Sequence, residues 1–435
     1  MRRLNTRDPD FDGVFATLTD RDSLAQTEID TRVTEIVSDV RANGDAAVLD
    51  YTRELDRRPD VTIDELEIAP ERMTAARDSL ARDDRAALEA AAERIAAFAE
   101  SQKIVPHSHF DADGNELGQI VRPIERAGVY APGGKAAYPS SVLMNAVPAR
   151  VAGVSEIVLV SPSPDGVLND WVLAAAAVAG VDRFITIGGA QAIAALAYGT
   201  ETLPEVDKIV GPGNAYVASA KRQVFGRVGI ESVAGPSEVL IIADGTGDPE
   251  WAALDLFAQA EHDEMARAML VSPDADYLAA VEAAVDRLLV DQPRRAIIAA
   301  ALEGQGALIE CADLSQAIEL SNRIAPEHLE LAVAEPRTLL DSIRHAGAIF
   351  MGHRTPEAFG DYCAGPNHVL PTGRTARFSS ALGAYDFQKR ISIVEASEWG
   401  AHRLAPIAAR LAKGEGLAAH AASAAVRGSS SDQDM

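Results

Sequence analysis

Apolar side chains recur every three to four positions through most of the first hundred residues, which is the spacing of one face of an α-helix. The pattern runs through residues 22–55, where Asn43-Gly44 interrupts it, and again through residues 71–102. Asn-Gly is a common turn dipeptide, so we expect the helix to break there. The sequence therefore predicts a helical amino-terminal region.

A different rhythm follows this region, in which short runs of β-branched and other apolar residues alternate with alanine-rich stretches of helical spacing. Strands that alternate with helices are typical of βαβ units, whose strands form parallel sheets. The pattern therefore predicts an α/β fold. The predicted strands lie at residues 156–160, 184–188, 238–243, 268–271, 307–310 and 347–351.

The tetrapeptide LVSP occurs twice, at residues 159–162 and 270–273, each time at the end of a predicted strand. Two related α/β halves would produce such a repeat. Chance recurrence in a chain rich in alanine and valine is the alternative, and the sequence leaves both explanations open.

Glycine and proline cluster in four segments between the predicted elements. These residues let the backbone approach a ligand closely, and binding residues concentrate in loops. Ordinary tight turns are the alternative for any single segment. Because the four segments also contain Asn214, Ser237, Asp361 and His368, together they favour a ligand site; they span residues 127–141, 209–217, 234–239 and 359–373.

One pair of candidate metal ligands lies on a predicted helix. Asp248-Pro249 predicts its start, because aspartate caps helices and proline is tolerated at the first position. Gln259 and His262, three residues apart, share one face of an otherwise apolar stretch. An amide oxygen and an imidazole nitrogen can bind a metal together. A hydrogen-bonded core histidine is the alternative, and the pair alone favours it.

A second candidate pair is Glu327 and His328, which follow a proline and place a carboxylate beside an imidazole. Adjacent groups of these two types are suited to proton transfer. A solvated pair at the start of a helix is the alternative. The sequence contains no zinc-protease, serine-hydrolase, P-loop or dinucleotide-binding fingerprint. Other polar candidates are Asp361, His368, Glu415 and His420.

The composition, with 47% hydrophobic and 24% charged residues, indicates a folded soluble chain. A length of 435 residues exceeds one compact core and implies two or more domains. With only Cys311 and Cys363, a disulfide scaffold and an all-cysteine zinc site are excluded. The longest apolar stretch, residues 171–180, is too short to cross a bilayer, and no apolar segment follows the first arginines. We therefore expect a cytoplasmic protein without a signal peptide.

The formal net charge is −25, from 40 basic and 65 acidic residues. Nucleic acid and anionic membranes would repel such a chain, so we expect neither as a partner. The acidic residues are spread along the sequence rather than gathered in a tail. A solvated acidic surface suited to high salt explains this distribution better than a specific cationic partner, which is the alternative.

Nine segments, taken in order and spacing, resemble segments of the histidinol dehydrogenase family and together extend from about residue 40 to residue 422. Several exceed ten residues, so the resemblance is specific. The segments are DVRANGDAAVLDYTRELD, RAGVYAPGGKAAYPSSVLMNAVPARVAGV, GGAQAIAALAYGT, KIVGPGNAYVASAK, AGPSEVLIIAD, AQAEHDEMA, APEHLEL, PEAFGDYCAGPNHVLPT and GEGLAAHAASA.

The resemblance implies the oxidation of L-histidinol to L-histidine through L-histidinaldehyde, in which each histidinol reduces two NAD. It also implies one zinc ion per subunit. Matched by motif, the zinc ligands are Gln259, His262, Asp361 and His420. This mixed set of nitrogen and oxygen donors suits zinc. The metal would hold and polarise the substrate rather than carry electrons.

Glu327 and His328 match the family's catalytic pair. The resemblance implies that His328 takes the proton of the alcohol and that Glu327 activates the water that hydrates the aldehyde. The implied NAD contacts are Tyr130, Gln191 and Asn214. The implied substrate contacts are Ser237, Gln259, His262, Glu327, His328, Asp361, His368, Glu415 and His420.

The same resemblance implies two incomplete Rossmann-like domains with an N-terminal helical segment and a C-terminal helical extension. It also implies a homodimer, in which the extension of each subunit reaches the active site of its partner. The implied boundaries are an arm at residues 1–22, a large catalytic domain at 23–129 and 240–381, an NAD-binding domain at 130–239 and the extension at 382–435.

Two segments depart from the family pattern. His353-Arg354 stands where an aromatic residue before the proline is common, and Glu231-Ser232-Val233 stands where methionine or leucine with proline is common. Neither replaces an implied ligand, so we expect activity to be retained. A covalent route through the Cys363 thiol is disfavoured, because a route through Glu327 needs no thiol.

Two other functions are weighed against this one. A related zinc and NAD dehydrogenase could act on a different polyol or amino alcohol. A catalytically inactive NAD-binding or assembly protein is the second alternative, and the presence of all the implied catalytic and metal-binding residues argues against it.

Overall fold

A computed structural model describes residues 1–19, 25–133, 138–233 and 235–428. The chain divides into two compact units. The first unit combines Met1–Gln102 with Ile124–Phe387, and the second combines Lys103–Pro123 with the chain from Gln388 onward.

The described residues form fifteen β-strands. They are β1 Arg2–Asn5, β2 Glu67–Ile68, β3 His107–Phe110, β4 Glu116–Pro123, β5 Arg126–Tyr130, β6 Glu156–Val160, β7 Arg183–Ile185, β8 Lys208–Val210, β9 Gly229–Ile230, β10 Glu238–Ala243, β11 Arg267–Ser272, β12 Ala307–Glu310, β13 His328–Ala332, β14 Ala348–Met351 and β15 Gln388–Glu395.

The same residues form fifteen α-helices. They are α1 Phe11–Thr19, α2 Ala25–Leu55, α3 Pro70–Ser79, α4 Arg82–Ser101, α5 Pro139–Ala152, α6 Asp170–Ala179, α7 Gly189–Tyr198, α8 Ala215–Val224, α9 Pro249–Ala260, α10 Ala275–Leu288, α11 Arg295–Gln305, α12 Leu314–Ile324, α13 Glu357–Tyr362, α14 Glu398–Gly414 and α15 Ala418–Ala425.

The first unit contains two six-stranded sheets. Sheet 1 has the order β2-β7-β6-β5-β8-β9, and sheet 2 has the order β1-β12-β11-β10-β13-β14. All pairs are parallel except β2 with β7. The two LVSP segments begin near the ends of β6 and β11, which occupy equivalent third positions. This equivalence favours related halves over chance.

Helices cover both faces of each sheet, because successive strand residues point to opposite faces and both sets are apolar. In sheet 1, Ile157 and Leu159 belong to the core beneath α3–α6, while Val158 and Val160 belong to the core beneath α2, α7 and α8. Sheet 2 likewise separates two cores, one with α9–α11 and one with α1 and α12. The predicted α/β fold with two Rossmann-like domains is confirmed.

The helical pattern at the amino terminus is also confirmed, and α2 breaks where Gly44 adopts φ 52°. The strand β1 was not predicted there. It pairs with β12 as an edge strand, and its four residues include two arginines and an asparagine, so it shows no hydrophobic run. The strands β2 and β5 belong to sheet 1, whereas β3 and β4 belong to a separate antiparallel sheet. The implied domain boundaries stay a prediction.

The second unit contains an antiparallel sheet of order β15-β4-β3 and the helices α14 and α15. These strands are largely exposed or half-buried and have no apolar run, which is why the sequence predicted only helices there. Within the described residues, no helix has the length and apolar character needed to cross a bilayer.

Candidate active site

The catalytic pair proposed from the sequence lies at the amino end of β13, an interior strand of sheet 2 between β10 and β14. Ala325 closes α12 in the left-handed conformation (φ 51°), and Pro326 then starts the turn into the strand. Left-handed backbone is unfavourable for alanine, and strain of this kind concentrates near functional sites. The interpretation of Glu327 and His328 as a solvated pair is therefore wrong, since both side chains are buried.

The His328 ring is held so that one nitrogen is left free. Its Nδ1 lies 3.1 Å from the carbonyl oxygen of Glu238 on the neighbouring strand β10. A carbonyl can only accept, so Nδ1 carries a proton, and Nε2 carries the lone pair whenever the ring is neutral. Nε2 is buried, has no hydrogen-bond partner among the described residues, and lies 3.7 Å from Oδ1 of Asp361.

Carboxylates around His328 make it a strong proton acceptor. Burial alone lowers the pKa of the imidazole, but Glu357, Glu327 and Asp361 together hold it well above its usual value. The two nearest of these to Nδ1 are Glu327 Oε2 at 3.8 Å and Glu357 Oε2 at 3.9 Å. Negative charge favours the protonated ring, so the ring gains a proton readily.

The backbone of β10, which holds the His328 ring, also holds the Glu327 side chain. Its Oε2 accepts the backbone N–H of Glu238 at 2.8 Å. Burial raises the pKa of this carboxyl to about 7, although the charge of His328 opposes the shift. A carboxyl group that titrates near neutrality is suited to act as a general base.

Asp361 and His368 flank this pair from α13 and the loop that follows it. His368 Nδ1 lies 3.0 Å from the backbone oxygen of Asp361 and 3.9 Å from Oδ1. Burial raises the pKa of Asp361, but the interaction with nearby His328 and the charge of His368 outweigh it, so the net pKa is lowered. Asp361 therefore presents an ionised carboxylate to the site.

Gln259 reaches the site from α9, which packs against α13. The helix starts as predicted, with Asp248 accepting the N–H of Glu250 and proline at the first position. The side chain of Gln259 is fully buried, yet neither its amide oxygen nor its amide nitrogen has a hydrogen-bond partner among the described residues. A buried amide left in this state costs about 1–3 kcal/mol per unsatisfied group, so it calls for a ligand.

His262 follows α9 and keeps a neutral ring. The backbone N–H of His262 donates to the carbonyl oxygen of Gln259 at 3.3 Å. Burial lowers the pKa of the imidazole, against the charge of the nearby Asp361. A neutral imidazole has the free lone pair that metal binding requires.

Gln259, His262 and Asp361 fit a zinc ion, since they offer an amide oxygen, an imidazole nitrogen and an ionised carboxylate. Ligand atoms of His328, Glu357 and Asp361 also lie within 4.8 Å of one another. A metal held by those three would leave the amide of Gln259 unsatisfied and would occupy the free nitrogen of His328. The first set is therefore the better candidate.

A group of buried carboxyls behind His328 was not identified from the sequence. Glu357 begins α13, and its N–H donates to Glu330 Oε1 at 2.6 Å. Burial raises the pKa of Glu330, of Glu357 to about 8 and of Asp255 to about 6. The one available signal was the spacing of Glu357 and Asp361, four residues apart on one helix face.

The remaining predicted residues of this site lie in different parts of the chain. Ser237 precedes β10 at the amino edge of sheet 2, where its carbonyl oxygen accepts the N–H of Arg267. Glu415 and His420 belong to the second unit, at the end of α14 and within α15, and both are exposed. Cys363 is exposed as well.

His353, one of the two departures, lies beyond β14 at the carboxyl edge of sheet 2. Its Nε2 lies 3.1 Å from the hydroxyl of Thr246. Because the strands are parallel, this edge is opposite to the one that carries Glu327 and His328. The departure is therefore remote from the catalytic pair.

A second candidate region lies at the carboxyl edge of sheet 1. In sequence, β5, β6 and β7 lie side by side across the sheet, and β8 then pairs with the other side of β5. Ligands of open α/β sheets bind at the carboxyl ends of the strands where the order reverses in this way. Tyr130 ends β5, Gln191 lies at the start of α7, and Asn214 precedes α8, so the predicted NAD contacts all lie at this edge.

Contacts join these residues into one region. The phenol oxygen of Tyr130 accepts the N–H of Gly189 at 3.2 Å, and burial raises the pKa of the phenol to about 12, so it stays protonated. Gln191 is buried, and its amide oxygen has no hydrogen-bond partner among the described residues. Asn214 Oδ1 accepts the N–H groups of Tyr216 and Val217. These side chains thus retain donors or acceptors for a ligand.

Comparisons with known proteins point to a single family. The family model for histidinol dehydrogenase matches residues 19–428. A histidinol dehydrogenase of Cupriavidus pinatubonensis is 59% identical over 98% of this chain and 97% of its own length. One from Chromobacterium violaceum is 57% identical over 98% of each. The crystal structure of histidinol dehydrogenase from Elizabethkingia anophelis matches with a TM-score of 0.90 and 33% identity over 98% of each chain.

The match therefore spans both sheets, the segments that carry the buried Glu327–His328 pair and the two carboxyl-terminal helices. This chain belongs to the histidinol dehydrogenase family.

Proposed function

We propose that this protein oxidises L-histidinol to L-histidine through L-histidinaldehyde, in two successive hydride transfers to NAD and with one zinc ion per subunit. Family membership supports the reaction. The observation that carries the assignment of the site is the buried Glu327–His328 pair, whose free imidazole nitrogen lies beside Asp361.

In this proposal Gln259, His262 and Asp361 hold the zinc ion together with His420 of the partner subunit. Bound there, the metal supplies a Lewis acid that orients and polarises the nitrogen and oxygen atoms of the substrate. The unsatisfied amide of Gln259 supports the assignment, because metal binding would give its oxygen a partner. Ser237 and His368, with Glu415 of the partner subunit, complete the substrate contacts.

His328 acts as the base of the first oxidation. When the hydroxyl-bearing carbon gives its hydride to the cofactor, the hydroxyl proton passes to Nε2, leaving an aldehyde. The hydrogen bond from Nδ1 to the carbonyl oxygen of Glu238 keeps the ring in the tautomer that this step needs. The surrounding carboxylates stabilise the imidazolium that results.

Glu327 prepares the second oxidation. An aldehyde has no proton to lose from oxygen, so water must first add to its carbonyl carbon. With a pKa of about 7, the Glu327 carboxylate can take a proton from that water as it attacks. As the water adds, the imidazolium of His328 returns its proton to the aldehyde oxygen, which regenerates the free base. The hydrate then gives its second hydride to another NAD and a hydroxyl proton to His328, and the resulting carboxylic acid loses its remaining proton to solvent as the carboxylate of histidine.

Tyr130, Gln191 and Asn214 bind NAD at the carboxyl edge of sheet 1 in this proposal. The reversal of strand order between β5 and β8 supports the location. The phenol of Tyr130 and the amide nitrogen of Asn214 are available as donors, because their oxygens already accept backbone N–H groups. NAD supplies the hydride acceptor at both stages.

We further propose a cytoplasmic homodimer with shared active sites, whose acidic surface is adapted to high salt. The net charge of −25 supports the last point, because self-repulsion of this size is relieved by screening. The implied domains keep their roles here, with sheet 2 carrying catalysis and sheet 1 carrying the cofactor.

Substrate selectivity tests the proposal. The zinc-loaded protein should oxidise L-histidinol with NAD, and it should fail with L-phenylalaninol, which lacks the imidazole nitrogens, and with imidazole propanol, which lacks the amino group. Equal kcat/KM values for L-histidinol and L-phenylalaninol would replace it with the dehydrogenase of a different amino alcohol. Absence of turnover with NAD, despite bound zinc, would contradict it outright.

A further inference from the structure

An ion pair between Lys221 and Glu231 is buried beside the carboxyl edge of sheet 1. Lys221 lies on α8, and Glu231 follows β9. Their side chains are 2% and 6% exposed, and Lys221 Nζ lies 2.7 Å from both carboxylate oxygens. Burying two charges has a large desolvation cost, and an apolar pair of similar volume is often at least as stable. The pair therefore calls for an explanation other than stability.

The ion pair binds both backbone polar groups of one residue, Gly211. The Lys221 ammonium donates to the carbonyl oxygen of Gly211 at 3.1 Å, and the N–H of Gly211 donates to Glu231 Oε1 at 2.8 Å. The carbonyl and the N–H of this glycine are therefore each bound to one member of the ion pair. Together the three residues form a closed network in which each charge is satisfied by the other charge and by the backbone of the glycine.

Gly211 has no side chain, so neighbouring residues can contact it only through its backbone. Its φ is 112°, a conformation that residues with a Cβ rarely adopt. A Cβ added at this position would lie 2.1 Å from the carbonyl oxygen of Tyr130. The chain therefore passes against the end of β5 with its backbone alone, and the ion pair supplies the contacts that fix its course.

The segment that Gly211 begins leads directly to Asn214. Residues 211–214 connect β8 to α8 at the point where the strand order reverses. Asn214 uses Oδ1 to cap α8, so its Nδ2, which has no hydrogen bond within the described part of the chain, remains as a donor. The direction of that donor depends on the path of the three residues before it, and that path starts at the glycine held by the ion pair.

We propose that Lys221 and Glu231 are positioning residues for NAD, which fix the backbone of Gly211 so that residues 211–214 present their donors to the dinucleotide. This inference rests on the proposed function, which places NAD at this edge. Neither side chain touches the cofactor in this account. Both act through the shape of the loop.

Replacing the charges separates positioning from stability. The double variant Lys221→Met/Glu231→Leu removes both charges and fills the space with apolar groups, so the thermal midpoint should fall only by the cost of leaving the N–H and carbonyl of Gly211 without these partners. It cannot restore either hydrogen bond to Gly211. We expect the KM for NAD to rise about 10- to 100-fold, the range seen when a residue that orients a ligand-binding group is removed. The kcat at saturating NAD and the KM for L-histidinol should stay unchanged.

A matched control is Glu156→Gln, which breaks the ion pair with Arg126 (Nε–Oε2 2.6 Å) at the amino edge of the same sheet. It should leave the KM for NAD at the wild-type value. Glu231→Gln, which keeps an acceptor for Gly211 but leaves the Lys221 charge unpaired, should lower the thermal midpoint as well as the affinity for NAD. Lys221→Arg, which keeps the positive charge and the hydrogen-bond donors, should retain most of the wild-type affinity for NAD.

The outcomes distinguish this inference from the proposed function. A stable double variant with the wild-type KM for NAD would overturn the positioning role alone. An equal rise in the Glu156→Gln control would also overturn it, since the effect would then be general to the sheet. If the wild-type protein itself shows no NAD binding in a direct titration, the proposed function fails before the variants are compared.

Discussion

Replacing Gln259 by leucine should stabilise the metal-free protein and weaken its hold on zinc. Leucine has nearly the volume of glutamine, but it buries no polar atom. The wild-type side chain is fully buried, and neither of its polar atoms has a partner among the described residues. Without metal, that state costs about 1–3 kcal/mol for an unsatisfied buried group, and Gln259→Leu removes the cost.

The size of the expected shift follows from the length of the chain. For 435 residues, at about 2.1 cal/mol/K of unfolding entropy per residue, 1–3 kcal/mol corresponds to a thermal midpoint higher by roughly 1–3 °C. Zinc should reverse the order. At a free concentration of 1,000 times Kd, binding stabilises the wild type by about 4.1 kcal/mol, which exceeds the advantage of the metal-free variant. The variant, which has lost a ligand, should gain much less.

The assay is a thermal scan of both proteins after chelation and again across a zinc titration, with Gln305→Leu as the control. Gln305 ends α11 and is half-buried, so its substitution should leave the zinc response intact. The reasoning would be refuted if Gln259→Leu lowered the midpoint of the metal-free protein and still responded to zinc as the wild type does.

Four further outcomes are expected. Glu327→Gln should still oxidise the alcohol but accumulate the aldehyde, with the second half-reaction slowed by about 10²- to 10⁴-fold, the usual contribution of a general base; equal loss in both half-reactions would contradict its role. Mixing His262→Asn with His420→Asn subunits should restore roughly a quarter of full activity, because half the dimers are hybrid and each hybrid has one intact site; proven hybrids without activity would show that the site is not shared. Asp255→Asn should flatten the pH dependence of the thermal midpoint between about pH 4 and 6: the folded pKa of about 6 lies above the unfolded value, so the native state binds more protons in this window and wild-type stability falls as pH rises through it. Salt should raise the thermal midpoint monotonically up to molar concentrations if screening of the −25 charge stabilises the fold, and a midpoint that is independent of salt would favour a specific cationic partner instead.

The fold followed from hydrophobic rhythm wherever a strand is apolar. The predicted strands at residues 156–160, 238–243 and 307–310 coincide with β6, β10 and β12. The strand β13 was missed because it reads HLELA, and two of its five side chains are ionisable. Its polar residues are buried because they serve the site, so the feature that makes the strand functional also conceals it from a hydrophobic pattern.

The location of the site could not be derived from topology either. The general rule for open parallel sheets places ligands at the carboxyl ends of strands, which suits the region around Tyr130 and Asn214. Glu327 and His328 lie at the opposite, amino, end of β13. Residue types and their match to a family predicted this pair, whereas the supporting backbone of Glu238 is a contact between strands that no local sequence pattern records.

The resemblance also named residues whose roles depend on a second subunit. Glu415 and His420 are exposed on the second unit of the chain. Exposure of this kind is what a residue contributed to a partner would show, and an ordinary surface residue would show it as well. Their assignment to the shared site therefore stays a prediction, which the mixed-subunit experiment addresses.

The most direct test of the central claim is the stoichiometry of NADH formed from limiting L-histidinol, measured with the zinc content and the histidine produced in the same sample. The account predicts two NADH and one histidine for each histidinol consumed, with one zinc per subunit. One NADH per histidinol, with the aldehyde as the final product of the zinc-loaded wild-type protein, would contradict it.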